Sequence, residues 1–467
     1  MSNSAFGLVA HFFCHQCIEK RFCSNWLFGL FKLILHYIIS YMLMTHKILI
    51  CAVALMAIAS ATASAADGGN DKDFSFKFYG QVRADLFYNS RSNSETVDGL
   101  FYMYPRDHDY DDFGQDLNAK PDGSLYTMYS RLGVNITGPA IANGKIATSG
   151  CVEVDFRGGG TNYYMIRLRQ AYLNLAWNKS QLLVGQTWHP FYGDVAPEIL
   201  NLNMGAPYQP FSRAPQIRYR FTDRSFRLTA ALLWQSQYLS VGPANNETGT
   251  TSTTKSQSFI KNSCVPEIMV GIDYKSGKWI AGVGADITSI VPRTQAEYNG
   301  TTAKVTERIT SLSAEAHLKY KSGSWLVAGK TVLGNNFTQA SGVGGYAITG
   351  IDETTGKQNY APVKVSATWL NVAYGSKWRP AIFLGYLKNL GAGKPVLDVL
   401  GTGIGDGLDR LATATAELTY NIPHWKFGVE YMLCNAWYGS LDKADGKIRD
   451  THTVMNHRMV MTAIFQF

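Results

Sequence analysis

The side chains best suited to chemistry in this chain are arginines at alternating positions, and a proline-rich stretch between them. Arg83, Arg131, Arg157, Arg167, Arg169, Arg218, Arg220 and Arg227 all fall in its first half. Each shares its strand parity with other polar residues, so a sheet would put them on one face. The stretch from His189 to Pro215 holds Pro190, Pro197, Pro207, Pro210 and Pro215, so it is stiff and cannot be strand. It also carries Phe191, Val195, Ile199, Leu200, Leu202, Met204 and Phe211, too many apolar residues for a loop standing in water. His189, Asp194, Glu198 and Arg213 are its polar candidates. A basic wall facing acidic groups across a narrow aqueous gap sets up a transverse field, and its arginines attract carboxylates. Arginine suits planar anions because its fork binds two oxygens. The bland alternative is a polar lining that only keeps an interior wet. The loop's own alternative is packing against a neighbouring subunit.

Other chemistry is poorly represented. No Gly-x-Ser-x-Gly and no HExxH occurs, and neither His189 nor His317 has an evident nucleophile partner. The Asp107-His-Asp-Tyr-Asp-Asp112 run offers oxygen ligands for calcium, but an exposed acidic run is ordinarily just solvated. Gly158-Gly-Gly160 is a hairpin loop with no helix after it, hence no phosphate cradle. Cys14, Cys17 and Cys23 near His11 and His15 do not complete a zinc spacing. No catalytic residue, metal or cofactor is expected, and the chain is not expected to be an enzyme.

The elements that must position the arginines are strands. Phe74, Phe76, Phe78, Val82, Ala84 and Leu86 share one face of the first, and Lys77, Gln81, Arg83 and Asp85 the other. The next strand sets Met128, Leu132, Val134 and Ile136 against Arg131 and Asn135, and the third sets Ile146, Val152, Val154 and Phe156 against Glu153, Asp155 and Arg157. Between 162 and 177 the apolar parity changes near Gln170, which predicts a bulge. Inside faces of later strands carry Glu267, Asp273, Glu315, Glu417 and Glu430, with Lys319 and Lys426 as exceptions. So many charges cannot be buried in a sandwich core, so the apolar face must point outward.

The connections alternate in length. Tyr274-Lys-Ser-Gly-Lys-Trp279, Tyr320-Lys-Ser-Gly-Ser-Trp325, Tyr374-Gly-Ser-Lys-Trp378 and Tyr420-Asn-Ile-Pro-His-Trp425 are tight turns flanked by amphipathic aromatics, as at a membrane boundary. Long polar connections lie between them at 89–123, 240–264, 291–304, 334–361, 390–409 and 439–452. The last strand alternates through Met459, Met461, Ala463 and Phe465 and stops at Phe467, although Val460 and Ile464 blur the pattern. An apolar terminal strand is an aggregation-prone edge unless it closes onto the first strand. The expectation is an all-β, transmembrane antiparallel barrel of about sixteen strands, with short periplasmic turns and long extracellular loops.

The first 65 residues differ. Residues 1–43 read as a non-native upstream extension. Residues 44–65 read as a signal peptide, with Lys47, the apolar run Ile48 to Ala59 and the Ala63-Ser64-Ala65 cleavage site. Residues 66–467 then form a single barrel domain. The full chain's formal charge of +8 falls when Lys20, Arg21, Lys32, Lys47 and Glu19 are removed, and so mild a balance gives nucleic acid no purchase. Cys151, Cys264 and Cys434 remain, too few for a disulfide framework.

Arg167-Leu-Arg-Gln-Ala-Tyr172, followed by Val184-Gly-Gln-Thr-Trp188 and the terminal Phe467, resembles the DcaP-like porins of the bacterial outer membrane. The resemblance implies a homotrimeric channel associated with dicarboxylates, with the third long loop (after 89–123 and 157–162) folded into the barrel. It implies passive diffusion of small hydrophilic solutes, anions among them. It also implies outer-membrane lipids around the barrel and assembly machinery that engages the strand ending at Phe467. Members of that group often carry an N-terminal coiled coil. Here strand pattern starts at Phe74, so no such extension is expected. An adhesin or structural barrel, or a barrel hydrolase, is the alternative to a channel.

Overall fold

The computed structural model describes residues 74–95, 101–157 and 165–467. The upstream extension, the signal peptide and the Gly158–Gly160 turn lie outside them. Sixteen antiparallel strands close into a barrel. In chain order they are β1 (Ser75–Asn89), β2 (Arg131–Ile141), β3 (Ile146–Asp155), β4 (Arg167–Trp177), β5 (Ser180–Trp188), β6 (Arg213–Asp223), β7 (Phe226–Leu233) and β8 (Glu267–Ser276). Then follow β9 (Trp279–Ile290), β10 (Ile309–Ser322), β11 (Trp325–Asn335), β12 (Gln358–Tyr374), β13 (Trp378–Gly391), β14 (Leu408–Ile422), β15 (Trp425–Asp442) and β16 (Lys447–Gln466). Each pairs with the next, and β16 returns to β1 from Gln81↔Gln466 to Asn89↔Arg458. Closure leaves the long terminal strand no free edge.

Strand faces follow the period of two. On β16, Met455, Met459 and Met461 are exposed while Asn456, Arg458, Val460, Thr462 and Ile464 are buried. Val460 and Ile464, which blur the sequence pattern, therefore face inward, Val460 against Phe87, Tyr129 and Leu202. On β1, Phe76, Phe78, Val82 and Leu86 point out and Gln81, Arg83 and Asp85 point in. Met128 departs from expectation. It precedes β2, is buried, and belongs to a turn that diverts the chain from the short Asp122–Tyr126 pairing on β1. The bulge near Gln170 is present: Glu153 pairs with Gln170 and Val154 with Leu168, leaving Arg169 as the extra residue.

The short turns gather on one rim with both ends of the barrel, and their aromatics do form a girdle. The pairing differs from a simple hairpin contact. Three of the four tryptophans pack on the tyrosine of the next turn: Trp279 on Tyr320 (4.5 Å), Trp325 on Tyr374 (4.8 Å) and Trp378 on Tyr420 (4.6 Å), while Trp425 packs on Phe465 of the last strand (4.8 Å). Among the described residues no helix is long and apolar enough to cross a membrane, which leaves crossing by strands open.

Candidate functional site

Residues 189–212 fold into the barrel. The neck is closed by the His189 N–H, which donates to Ser212 O at 3.0 Å. At the far end, the Leu200 N–H donates to Glu417 Oε2 (2.7 Å) and Glu430 Oε2 (2.9 Å), and the Asn201 N–H to Glu430 Oε2 (3.0 Å). Arg83 Nη2 donates to Leu200 O at 2.7 Å. The loop thus crosses from β5 and β6 to β14 and β15. Its apolar residues explain why it stays there. Val195, Ala206, Tyr208 and Phe211 bury against Trp369, Phe383, Leu387 and Leu411, under Phe101, Met103 and Tyr104 of the first long loop. Trp369 Nε1 donates to Gln209 Oε1 (2.9 Å), so the buried indole is satisfied. The interior beside β12–β14 is a packed core, and the loop narrows what remains.

The charges are paired unevenly. Arg83 Nη2 meets Asp85 at 2.8 Å, Arg167 meets Asp155 at 2.6 Å, and Arg169 bridges Glu153 (2.6 Å) and Asp155 (2.8 Å). Asp194 is held by Arg227 (2.8 Å) and Lys275, and Glu198 by Arg379 (2.7 Å) and Lys319 (3.2 Å). Burial pushes the Asp194 carboxyl up, but the Lys275 and Arg227 contacts outweigh it and hold the group well below the usual carboxylate range. Both loop carboxylates keep contact with water, with side-chain exposures of 36% and 42%. They are not free counter-charges facing the arginines across a gap, as the sequence suggested. Arg227 also bonds Asp273 at 2.7 Å.

Arg131, Arg218 and Arg220 are different. None makes an ion pair among the described residues, and the Nε of each is buried without a hydrogen-bond partner. Arg218 and Arg220 are successive inward positions of β6, registered with Leu183 and Gln181 of β5. Arg157 lies over the Phe101 and Tyr129 rings (5.3 and 5.1 Å) and is 2% exposed. Arg213 sits over Trp188 at 4.8 Å, donates to Tyr238 Oη at 3.1 Å and is equally buried, so it packs the base of the loop. His189 is also buried, with Nε2 3.0 Å from Glu267, and His317 lies between Asp273 and Glu315 (3.0 Å each).

No protein-family model and no curated protein matches the chain. Solved structures do. The outer membrane channel DcaP of Acinetobacter baumannii superposes with a TM-score of 0.59 at 16% identity, over 85% of this chain and 99% of that one. The chain has the fold of that channel. OmpT, an outer membrane protein of Vibrio cholerae, aligns at TM-score 0.49 and 13% identity, over 85% of this chain and 99% of its own. An anion-selective porin from Comamonas acidovorans gives 0.46 and 11%, over 85% and 100%.

Within this porin-type barrel, two sets of contacts that hold the loop were not foreseen in the sequence, although Glu417 and Glu430 were placed on the inside face. Glu417 and Glu430 are directly paired across β14 and β15, and both clasp the loop tip. Gly428 leaves room for Leu200, whose Cδ1 would lie 2.5 Å from an added Cβ. Lys330, 3% exposed, donates to the carbonyls of Phe191 and Tyr192 (the latter at 3.2 Å) and so fixes the loop near its neck. The acidic run of the first long loop is taken up by local bonds. Asp116 binds Arg91 (2.7 Å) and His108 (2.8 Å), Asp107 binds His452 (2.6 Å), and Asp111 accepts the Phe113 and Gln115 amides.

Proposed function

We propose that this chain is an outer-membrane porin through which small hydrophilic solutes diffuse passively, with a preference for anions and for dicarboxylates among them. The observation that carries the anion preference is the unpaired set Arg131, Arg218 and Arg220, beside a constriction loop whose carboxylates are already neutralised. Guanidinium groups left without acceptors in a narrowed interior offer forked donors to a passing carboxylate, and low local dielectric strengthens each contact. The exposed apolar exterior and the aromatic rim suit a lipid bilayer. A second polar or charged solute face is not required for this reading.

The same reading has the chain assembling as a homotrimer, inserted by assembly machinery that engages the strand ending at Phe467. It also has export directed by residues 44–65 and chain maturation at Ala66 or Asp67. Single-channel recording of the purified protein in planar bilayers separates a porin from an adhesin, a structural barrel or a barrel hydrolase. Stepwise, ohmic conductance supports the porin. Reconstituted, folded protein that gives no steps rules it out.

A further inference from the structure

Three side chains far apart in sequence meet in one buried cluster at the loop neck. His189 leaves β5 into the neck, Glu267 opens β8, and Asp286 lies on β9. All three are buried, with side-chain exposures of 1–2%. His189 Nε2 is 3.0 Å from Glu267 Oε1 and 3.8 Å from Asp286 Oδ1, and one donor atom from each residue lies within 4.8 Å of the others. No lysine or arginine pairs with either carboxylate among the described residues. Thr288 Oγ1 and Gln339 Nε2 donate to the pair at 3.1 Å each. Asp286 Oδ1 has no hydrogen-bond partner among the described residues, and neither has Gln339 Oε1. Two buried carboxylates beside one imidazole need a compensating positive charge.

We propose that His189, Glu267 and Asp286 form a structural site for a zinc-class divalent cation that fastens the loop neck to β8 and β9. Two carboxylates, a neutral imidazole and a dication make a cluster with no net charge. One nitrogen with oxygens favours zinc over calcium or magnesium, which take oxygen ligands. Tetrahedral bonds to zinc set donor atoms about 3.4 Å apart, between the two separations observed. Gln339 supplies a fourth oxygen if its amide turns over. The buried site has no open position for substrate, so its role is to hold the loop.

A proton competes for this place. The Phe191 N–H donates to His189 Nδ1 at 3.1 Å, which puts the ring hydrogen on Nε2, facing Glu267. Cation binding moves that hydrogen to Nδ1, and the Phe191 amide gives up its acceptor in exchange for coordinate bonds at Nε2 and the two carboxylates. A proton shared by Glu267 and Asp286 would need no such change.

The test uses the folded protein in detergent, stripped with EDTA, equilibrated with zinc chloride and freed of excess metal. About one zinc per chain is expected, with a melting temperature raised by several degrees, as for any ligand that binds only the native state. Cobalt(II) should give the visible bands of a four-coordinate nitrogen–oxygen site. His189→Gln and Asp286→Asn should each lose the metal and the bands, while His108→Gln and His452→Gln in the outer loops keep both. If the first two variants fail to fold, the wild-type stoichiometry and cobalt spectrum decide alone. Wild type holding less than about a tenth of a zinc per chain, with an unmoved melting temperature, overturns the proposal. Zinc retained by both folded cluster variants overturns it too. So does an Asp286→Asn protein that melts above a zinc-insensitive wild type, the signature of a shared proton.

Discussion

Arg227 Nη1 donates to Asp194 Oδ2 at 2.8 Å, so one of the two acidic residues of the constriction loop is tied to the wall beside it. The pair leaves little negative field in the passage. Replacing Asp194 with Asn frees Lys275, leaves Arg227 to Asp273 alone, and adds one net positive charge. Anion-over-cation permeability should rise about two-fold, the size expected of one screened charge worth less than ~1 kcal/mol in water. A fall in that ratio would mean the loop carboxylate acts some other way.

The clasp at the loop tip sets a second expectation. Glu417 and Glu430 accept the amides of Leu200 and Asn201, and Glu430 accepts both. Replacing both glutamates with Ala strands these amides, at about 1–3 kcal/mol each. The tip should detach, giving a larger and noisier single-channel current and a lower melting temperature. Glu430→Ala alone should do less, because Glu417 still holds Leu200. Unchanged current in the double variant would show that the apolar packing around Tyr208 and Phe211 positions the tip unaided.

The outer loop supplies a pH prediction. Burial pushes the Asp116 carboxyl up, but bonds from Arg91 and His108, and the amides of Asp109 and Asn118, outweigh it and hold the group well below the usual carboxylate range. A lowered carboxyl contributes stability that is full above its ordinary pKa of about 4 and is lost only as pH falls below it. Hydrogen-exchange protection of the Asp109 and Asn118 amides should therefore hold from pH 7 to about 4 and fall below about 3. Asp116→Asn should lower it throughout. Loss between pH 6 and 4 in the wild type would contradict this.

The unpaired arginines make a stability prediction of unusual sign. Removing a partnered buried charge destabilises, but Arg218 and Arg220 have no carboxylate to strand. Arg218→Gln and Arg220→Gln should leave the melting temperature unchanged or raise it. Arg169→Gln leaves Glu153 and Asp155 short of a partner and should cost about 3 kcal/mol or more. Equal losses in all three would show that the first two have partners in solution.

The barrel was legible because lipid outside and water inside impose a period of two on every strand. The bulge at Arg169 showed as a break in parity, and the aromatic turns marked one rim. Partner choice was not legible. Trp279 meets Tyr320 because β9 pairs with β10 as well as with β8, and a turn motif read by itself hides that neighbour. Val460 looks like an error of pattern until Leu202 of the inward loop gives it apolar company. Which arginines lack partners depends on register: Arg167 and Arg169 lie beside Asp155 and Glu153, while Arg218 faces Leu183 and Ala231. Spacing alone cannot distinguish them. The His189, Glu267 and Asp286 cluster needs three elements brought together and leaves no local signal.

The most direct test of an anion-preferring channel is the zero-current potential across a tenfold potassium chloride gradient. It should be measured for wild type and for the Arg131→Gln, Arg218→Gln, Arg220→Gln protein. The wild type should show anion selectivity, and the triple variant should conduct with that selectivity largely lost. Cation selectivity in the wild type, or the same potential in both proteins, would contradict the account.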